Sequence, residues 1–277
     1  MSRAEGNALD KLNAGLDSSG SMLCVGLDPD MRTMPERFQA EPAPLYAFNR
    51  WLIEETAPYA ASFKCNTAFY EAFGARGWEQ LQQTAEFLRE AAPAAFTICD
   101  AKRADIGNTN RGYVQSVFDQ LGFDAITLHP YLGREALSPF LDRADKASIV
   151  LCRTSNEGGE EVQELVVEGK PLWRVVAERV AREWNANGNC MLVVGAKHTH
   201  VMEAVREFAP ELPLLVPGVG AQGGHAGDVV RAGLSPRGKG LLINVSRGIA
   251  GNSDPAGAAR QLSEEMKQAM EAMLAAR

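Results

Sequence analysis

Eight short apolar runs recur along the chain, and their spacing restricts the fold more than any other feature. They lie at 22–27 (MLCVGL), 60–64 (AASFK), 96–102 (FTICDAK), 125–129 (AITLH), 147–152 (ASIVLC), 190–195 (CMLVVG), 214–218 (LLVPG) and 240–245 (GLLINV). A strand with one face in water alternates apolar and polar side chains. These runs are continuous, as in parallel strands covered on both faces. Parallel neighbours need crossover connections, and helical stretches at 45–56, 77–91, 111–121, 171–187 and 256–274 supply them. Trp78, Leu81, Ala85 and Leu88, for example, share one helical face. Eight β–α units with no break in composition predict a single α/β domain over residues 1–277. Its expected form is a (β/α)8 TIM barrel with an extra N-terminal helix at 10–18, rather than a doubly wound sheet.

Composition narrows the partners. With 28 Lys and Arg against 35 Asp and Glu, the net charge of −7 gives no global attraction for nucleic acid or an anionic membrane. No apolar run approaches the roughly 18 residues of a membrane-spanning helix, and residues 1–11 carry no secretory apolar core. A cytoplasmic location is therefore expected. The five cysteines, Cys24, Cys65, Cys99, Cys152 and Cys190, form no CxxC pair and are odd in number. They read as buried free thiols, not as a disulfide framework or zinc site. His198 and His200 could face a metal from one strand, but no neighbouring carboxylate completes a ligand set, so no metal is expected.

In barrels of this class chemistry sits at the C-terminal ends of the strands, and charge is concentrated there. Asp28 ends the first run, Lys64 the second, and Asp100 and Lys102 the third, with Asp105 in the following loop. Asp100 and Lys102 are two apart on a strand and so share a face. Any one of these could be an ordinary charge on the barrel rim. Alternating signs ending three successive strands favour a site, because buried charge is costly without pairing or function.

The seventh and eighth runs lead into Gly-rich and cationic loops, 217–224 (PGVGAQGG) and 244–249 (NVSRGI). Glycine brings backbone N–H groups close to an anion and Arg247 adds a charged fork, at the place where such barrels commonly bind phosphate. Gly218, Gly220 and Gly223 also spell GxGxxG, but the ribose-binding acid that a dinucleotide unit needs about 20 residues later is missing from 236–240 (PRGKG). The sequon Asn244-Val-Ser246 falls at a buried strand end and is not read as a glycosylation site.

The segment from Asp100 to Thr109 has the form DxKxxDIxxT. Together with Lys64 on the preceding run it resembles the signature of orotidine 5′-phosphate decarboxylases. The order of 24–28 (CVGLD), 63–66 (FKCN), 68–74 (AFYEAFG), 153–156 (RTSN), 217–224 and Ser246-Arg247 extends the resemblance over nearly the whole chain, in the longer, bacterial-type form. Cys65 and Glu157 depart from it, standing where proline is usual, and the stretch 196–200 (AKHTH) is atypical.

The resemblance implies conversion of orotidine 5′-monophosphate to uridine 5′-monophosphate and CO2, in pyrimidine biosynthesis, without a cofactor. It assigns a Lys64–Asp100–Lys102–Asp105 charge network beside the substrate carboxylate, with Lys102 protonating C6. Asp28 and Lys64 would hold the ribose, Ser155 would read the pyrimidine, and Pro217, Gln222, Ser246 and Arg247 would contact the substrate, Gln222 and Arg247 closing over its phosphate. Asp105, Ile106 and Thr109 are expected to reach into the site of a partner subunit, making a homodimer with shared sites. Two other functions compete. A metal-dependent sugar-phosphate decarboxylase or aldolase of the same superfamily would want an acidic ligand where this chain has Lys64. A non-catalytic nucleotide-binding regulator would be expected to have lost part of the charge network.

Overall fold

The computed structural model describes residues 6–220 and 223–275. Eight parallel strands close into a barrel: β1 (Leu23–Leu27), β2 (Ser62–Asn66), β3 (Phe96–Arg103), β4 (Ala125–Leu128), β5 (Ala147–Arg153), β6 (Cys190–Val194), β7 (Leu214–Pro217) and β8 (Leu241–Val245). Each strand pairs with its sequence neighbours, and β8 returns to β1 with Leu23 opposite Ile243 and Val25 opposite Val245. The expected (β/α)8 barrel is the fold observed. Its strands are buried almost without interruption, which accounts for the continuous apolar runs.

Helices cover the outside, with the expected stretches at Pro44–Thr56, Gly74–Ala91 and Pro255–Ala275. The stretch from 111 begins earlier, as Gly107–Val114, and widens into a π-type turn over Gln115–Gln120. The stretch from 171 is divided. Lys170–Pro171 pairs with Val166–Val167 in a small antiparallel hairpin, and the helix starts at Leu172. Short helices at Gly133–Leu141, Thr199–Phe208 and Ala226–Gly233 complete the crossovers. His198 and His200 therefore lie at the entry to a helix, not on a strand face, because β6 has already ended at Val194.

The extra helix is Ala8–Ser19. Asn7 caps it by accepting from the Leu9 N–H at 2.9 Å, in a capping box with Asp10, and Gly20 ends it in the left-handed conformation. Gly15 lets it lie against the start of β2 and β3, since a Cβ there would stand 2.6 Å from the Ala61 carbonyl oxygen. Lys11 reaches Asp124 at 2.6 Å, and the same Asp124 oxygen accepts from the Thr97 N–H at 2.9 Å and the Thr97 hydroxyl at 2.7 Å. One carboxylate thus ties this helix to β3 and to the segment entering β4.

All five cysteines are free and buried, as expected. Burial pushes the Cys24 thiol up to about 11. No helix among the described residues is long and apolar enough to cross a membrane.

Replacing Asp124 by Ala strands the buried Thr97 N–H and frees Lys11. The expected loss is about 2–4 kcal/mol of stability, read as a lower urea midpoint at unchanged slope. An unchanged midpoint would show that the tie contributes nothing.

Candidate active site

The C-terminal ends of the strands open into one cleft of about 870 Å³. At its base three charges stand in a row. Asp100 on β3 accepts from Lys64 of β2 at 2.9 Å through Oδ2, and from Lys102 at 2.7 Å through Oδ1. The Lys64 and Asp100 side chains are 5% and 10% exposed, whereas that of Lys102 is 49% exposed and opens into the cleft.

Burial alone would push the Lys64 ammonium down. The facing carboxylates of Asp28 and Asp100 outweigh it, and the group is held well above the usual lysine range. Burial would likewise push the Asp100 carboxyl up, but Lys64 and Lys102 hold it well below the usual carboxylate range. The two groups keep each other charged in a place where either alone would tend to neutralise.

Asp28, just past β1, accepts from the Ser246 hydroxyl at 2.6 Å through Oδ2. Its buried Oδ1 has no partner among the described residues, so it is free to accept from a ligand hydroxyl. This arrangement needs Gly26, because a Cβ on that residue would stand 1.8 Å from the Ser246 hydroxyl oxygen. Asn244 is buried and donates to the Cys24 carbonyl at 3.1 Å, in keeping with its reading as a strand residue rather than a glycan acceptor.

On the far side of the cleft, Pro217 ends β7 with Gly218 just after it, and Arg247 follows β8. Arg247 is exposed and has no ion-pair partner among the described residues. Gln222, expected to close over an anion, lies outside the described residues. The GxGxxG segment follows a barrel strand, at the seventh unit.

Ser155 lines the cleft after β5. Gln163 holds its loop by accepting from the Thr154 N–H at 2.9 Å, while Arg153 pairs with Glu164 at 2.6 Å.

Three members of the expected four-residue network therefore meet in one chain, and the fourth does not join them. The Asp105 carboxylate accepts from the Ile106 N–H at 2.6 Å, and its backbone is held by Asn110. Ile106 is 58% exposed. Thr109 lines a separate groove with Trp78, Arg103 and Tyr113, and neither Asp105 nor Ile106 lines the cleft. No group of three or more His, Cys, Asp and Glu stands together as a metal set among the described residues.

Sequence reasoning missed Thr127. This β4 residue is buried and lines the cleft, accepting from the Lys102 N–H and donating to Asp100 Oδ1, each at 2.9 Å. The available signal was a hydroxyl inside an otherwise apolar run, a weak one because Thr is also a good strand former.

The chain as a whole resembles known proteins. Residues 21–262 match the Orotidine 5'-phosphate decarboxylase / HUMPS family. The chain is 45% identical over 260 residues to an orotidine 5'-phosphate decarboxylase of Herpetosiphon aurantiacus, covering 92% of this chain and 95% of that one. It is 41% identical over 270 residues to the enzyme of that name from a Janthinobacterium species, covering 96% and 99%. The solved structure of Leishmania donovani OMP decarboxylase superposes with a TM-score of 0.85 at 41% identity, covering 96% of this chain and 99% of that one. A family match over most of the chain, relatives of nearly equal length and a shared barrel lead to one conclusion: the chain belongs to the orotidine 5'-phosphate decarboxylase / HUMPS family.

Proposed function

We propose that the protein decarboxylates orotidine 5'-monophosphate to uridine 5'-monophosphate and CO2 without a metal or organic cofactor, using Lys102 as proton donor. The single observation that carries this reading is the cation–anion–cation row, with Asp100 held at 2.9 Å by Lys64 and at 2.7 Å by Lys102. The metal-dependent alternative is disfavoured by Lys64, which occupies the strand end where that chemistry wants an acidic ligand.

Loss of CO2 leaves an electron pair in the plane of the ring at C6, where no adjacent carbonyl can take it up as an enolate. A fixed ammonium at that point stabilises the developing charge as the C–C bond breaks. The pair then takes a proton from Lys102 Nζ, and the neutral amine regains one from solvent. Asp100 serves twice. It holds the ammonium in place, and its charge stands against the substrate carboxylate in the ground state, a repulsion relieved when neutral CO2 departs.

The rest of the substrate is held at a distance. Asp28 Oδ1, buried and unpartnered among the described residues, supports a ribose contact, with Lys64 beside it. Ser155 would read the pyrimidine edge. Arg247 and Gln222 would close over the phosphate, and Pro217 and Ser246 would also contact the substrate, supplying interactions that can be realised at the transition state. Asp105, Ile106 and Thr109, which turn away from this chain's cleft, would enter a partner's site across a two-fold interface. The exposure of Ile106 supports that placement. The reaction is assigned to the cytoplasm.

Consumption of orotidine monophosphate, followed by absorbance with a chelator present, is expected in the wild type and should fall at least about 1,000-fold in Lys102→Ala. The circular dichroism of the variant should be unchanged. Turnover that vanished with chelator and returned with Mg2+ would move the assignment to the metal-dependent relatives, and near-normal turnover in the variant would remove Lys102 from the chemistry.

Arg247→Ala loses a charge-assisted contact and should raise KM about 10- to 100-fold for the nucleotide. A substrate without phosphate should be barely affected, and equal losses for both would mean that Arg247 does not bind phosphate.

Lys102→Ala and Asp105→Ala should each be nearly inactive as homodimers. After subunit exchange of equal amounts, about half the dimers are mixed, each with one undamaged site, so about a quarter of wild-type activity should return. Exchange demonstrated by native mass spectrometry without recovery would assign Asp105 to its own chain's site.

A further inference from the structure

The ladder between β3 and β4 breaks opposite the lysine. It pairs Ile98 with Ala125 and Cys99 with Ile126, then resumes at Arg103 with Leu128. Residues 100, 101 and 102 of β3 therefore face Thr127 alone on β4. The surplus backbone is taken up at Lys102, which has φ +47°, in the left-handed region. Such a conformation costs a lysine on the order of 1–2 kcal/mol, so it persists only where the surroundings impose it.

Thr127 is the residue placed to impose it. The residue is buried, with 1% of its surface exposed. A lone pair of the hydroxyl accepts the Lys102 N–H at 2.9 Å, and its single proton is donated to Asp100 Oδ1 at 2.9 Å. Asp100 Oδ1 is also the atom that receives Lys102 Nζ at 2.7 Å. One hydroxyl thus grips both ends of the same lysine, the amide directly and the ammonium through the carboxylate.

We propose that Thr127 is a positioning residue for the reaction: it holds the left-handed backbone at Lys102 and the Asp100 carboxylate in register, and so fixes where the ammonium stands. The inference rests on the reading of Lys102 as proton donor. Thr127 makes no proposed contact with ribose, base or phosphate, so its loss should act on the chemical step and leave binding almost intact. A misplacement of about 1 Å is worth about 100-fold in rate. The bulge explains the residue type as well. Valine has the same shape without the hydroxyl, and serine keeps the hydroxyl on a freer χ1.

The test compares wild type, Thr127→Val and Thr127→Ser by steady-state kinetics on orotidine monophosphate, and by NMR exchange of the Lys102 amide proton. The valine variant should lose at least about 100-fold in kcat with KM within about threefold. Its Lys102 amide should exchange at least about 100-fold faster, since its hydrogen-bond partner is gone. Serine should restore both readings to within about tenfold of wild type. If valine does not fold, Thr127→Ala removes the same two hydrogen bonds and takes its place in both measurements. An unchanged kcat, a loss confined to KM, or an amide equally protected without the hydroxyl would overturn the proposal. A wild-type protein with no turnover would instead sink the decarboxylase reading, leaving amide exchange to decide whether Thr127 holds the lysine.

Discussion

A carboxylate clamped between two ammonium groups is the interaction around which the upper half of this barrel is arranged. Lys64 and Asp100 are nearly sealed from water, and each would be strongly destabilising without the other. Their pairing is possible only because β2 and β3 are adjacent and in a register that sets Asn66 opposite Asp100, with Lys64 one pleat behind. Lys102 then completes the row from a more open position. A barrel closed with one residue of slip between these strands would direct Lys64 toward the helices, leaving Asp100 buried with half its compensation.

The same row explains an apparent conflict between composition and chemistry. The chain is acidic overall, yet the proposed substrate carries both a carboxylate and a phosphate. Attraction is therefore local. In the proposed reaction Arg247 would provide it at one end of the cleft, and Lys102 at the other. Between them Asp28 would offer an acceptor to the ribose, and Asp100 would sit against the group that must leave. On that reading, binding at the far ends would hold the middle in an unfavourable contact that disappears as CO2 departs.

The eight strands were legible because double-sided burial leaves continuous apolar runs, a pattern that survives without knowledge of neighbours. The charged strand ends were legible for the opposite reason, since Lys64 and Asp100 interrupt that pattern. Features set by backbone detail or tertiary pairing were not. The hairpin at Val166–Val167 and Lys170–Pro171 turns through Glu168 at φ +52° and Gly169 at φ +79°. Glutamate is not a residue that announces such a turn, as Asn or Asp before Gly would. The helices at Gly133–Leu141, Thr199–Phe208 and Ala226–Gly233 span only two or three turns each, too few apolar repeats to stand out. The bulge at Lys102 left no local sign, because Thr127, its partner, is 25 residues away and reads as an ordinary strand former. Alternation correctly put Asp100 and Lys102 on one side, although the strand is no longer regular between them.

The contact between Ser246 and Asp28 joins residues 218 apart in the chain, and it also lies where the first and last strands meet. Barrel closure and completion of the Asp28 corner of the cleft are consequently one event. During vectorial synthesis, β1 through β7 can form on the ribosome while Asp28 still lacks its partner and β1 still presents an open edge. Only when the segment through Ser246 has cleared the exit tunnel can that edge be covered. Until then the nascent chain exposes an unpaired strand edge, the kind of surface that invites pairing with another chain. The Asp28 corner of the cleft is thus complete only once Ser246 is in place.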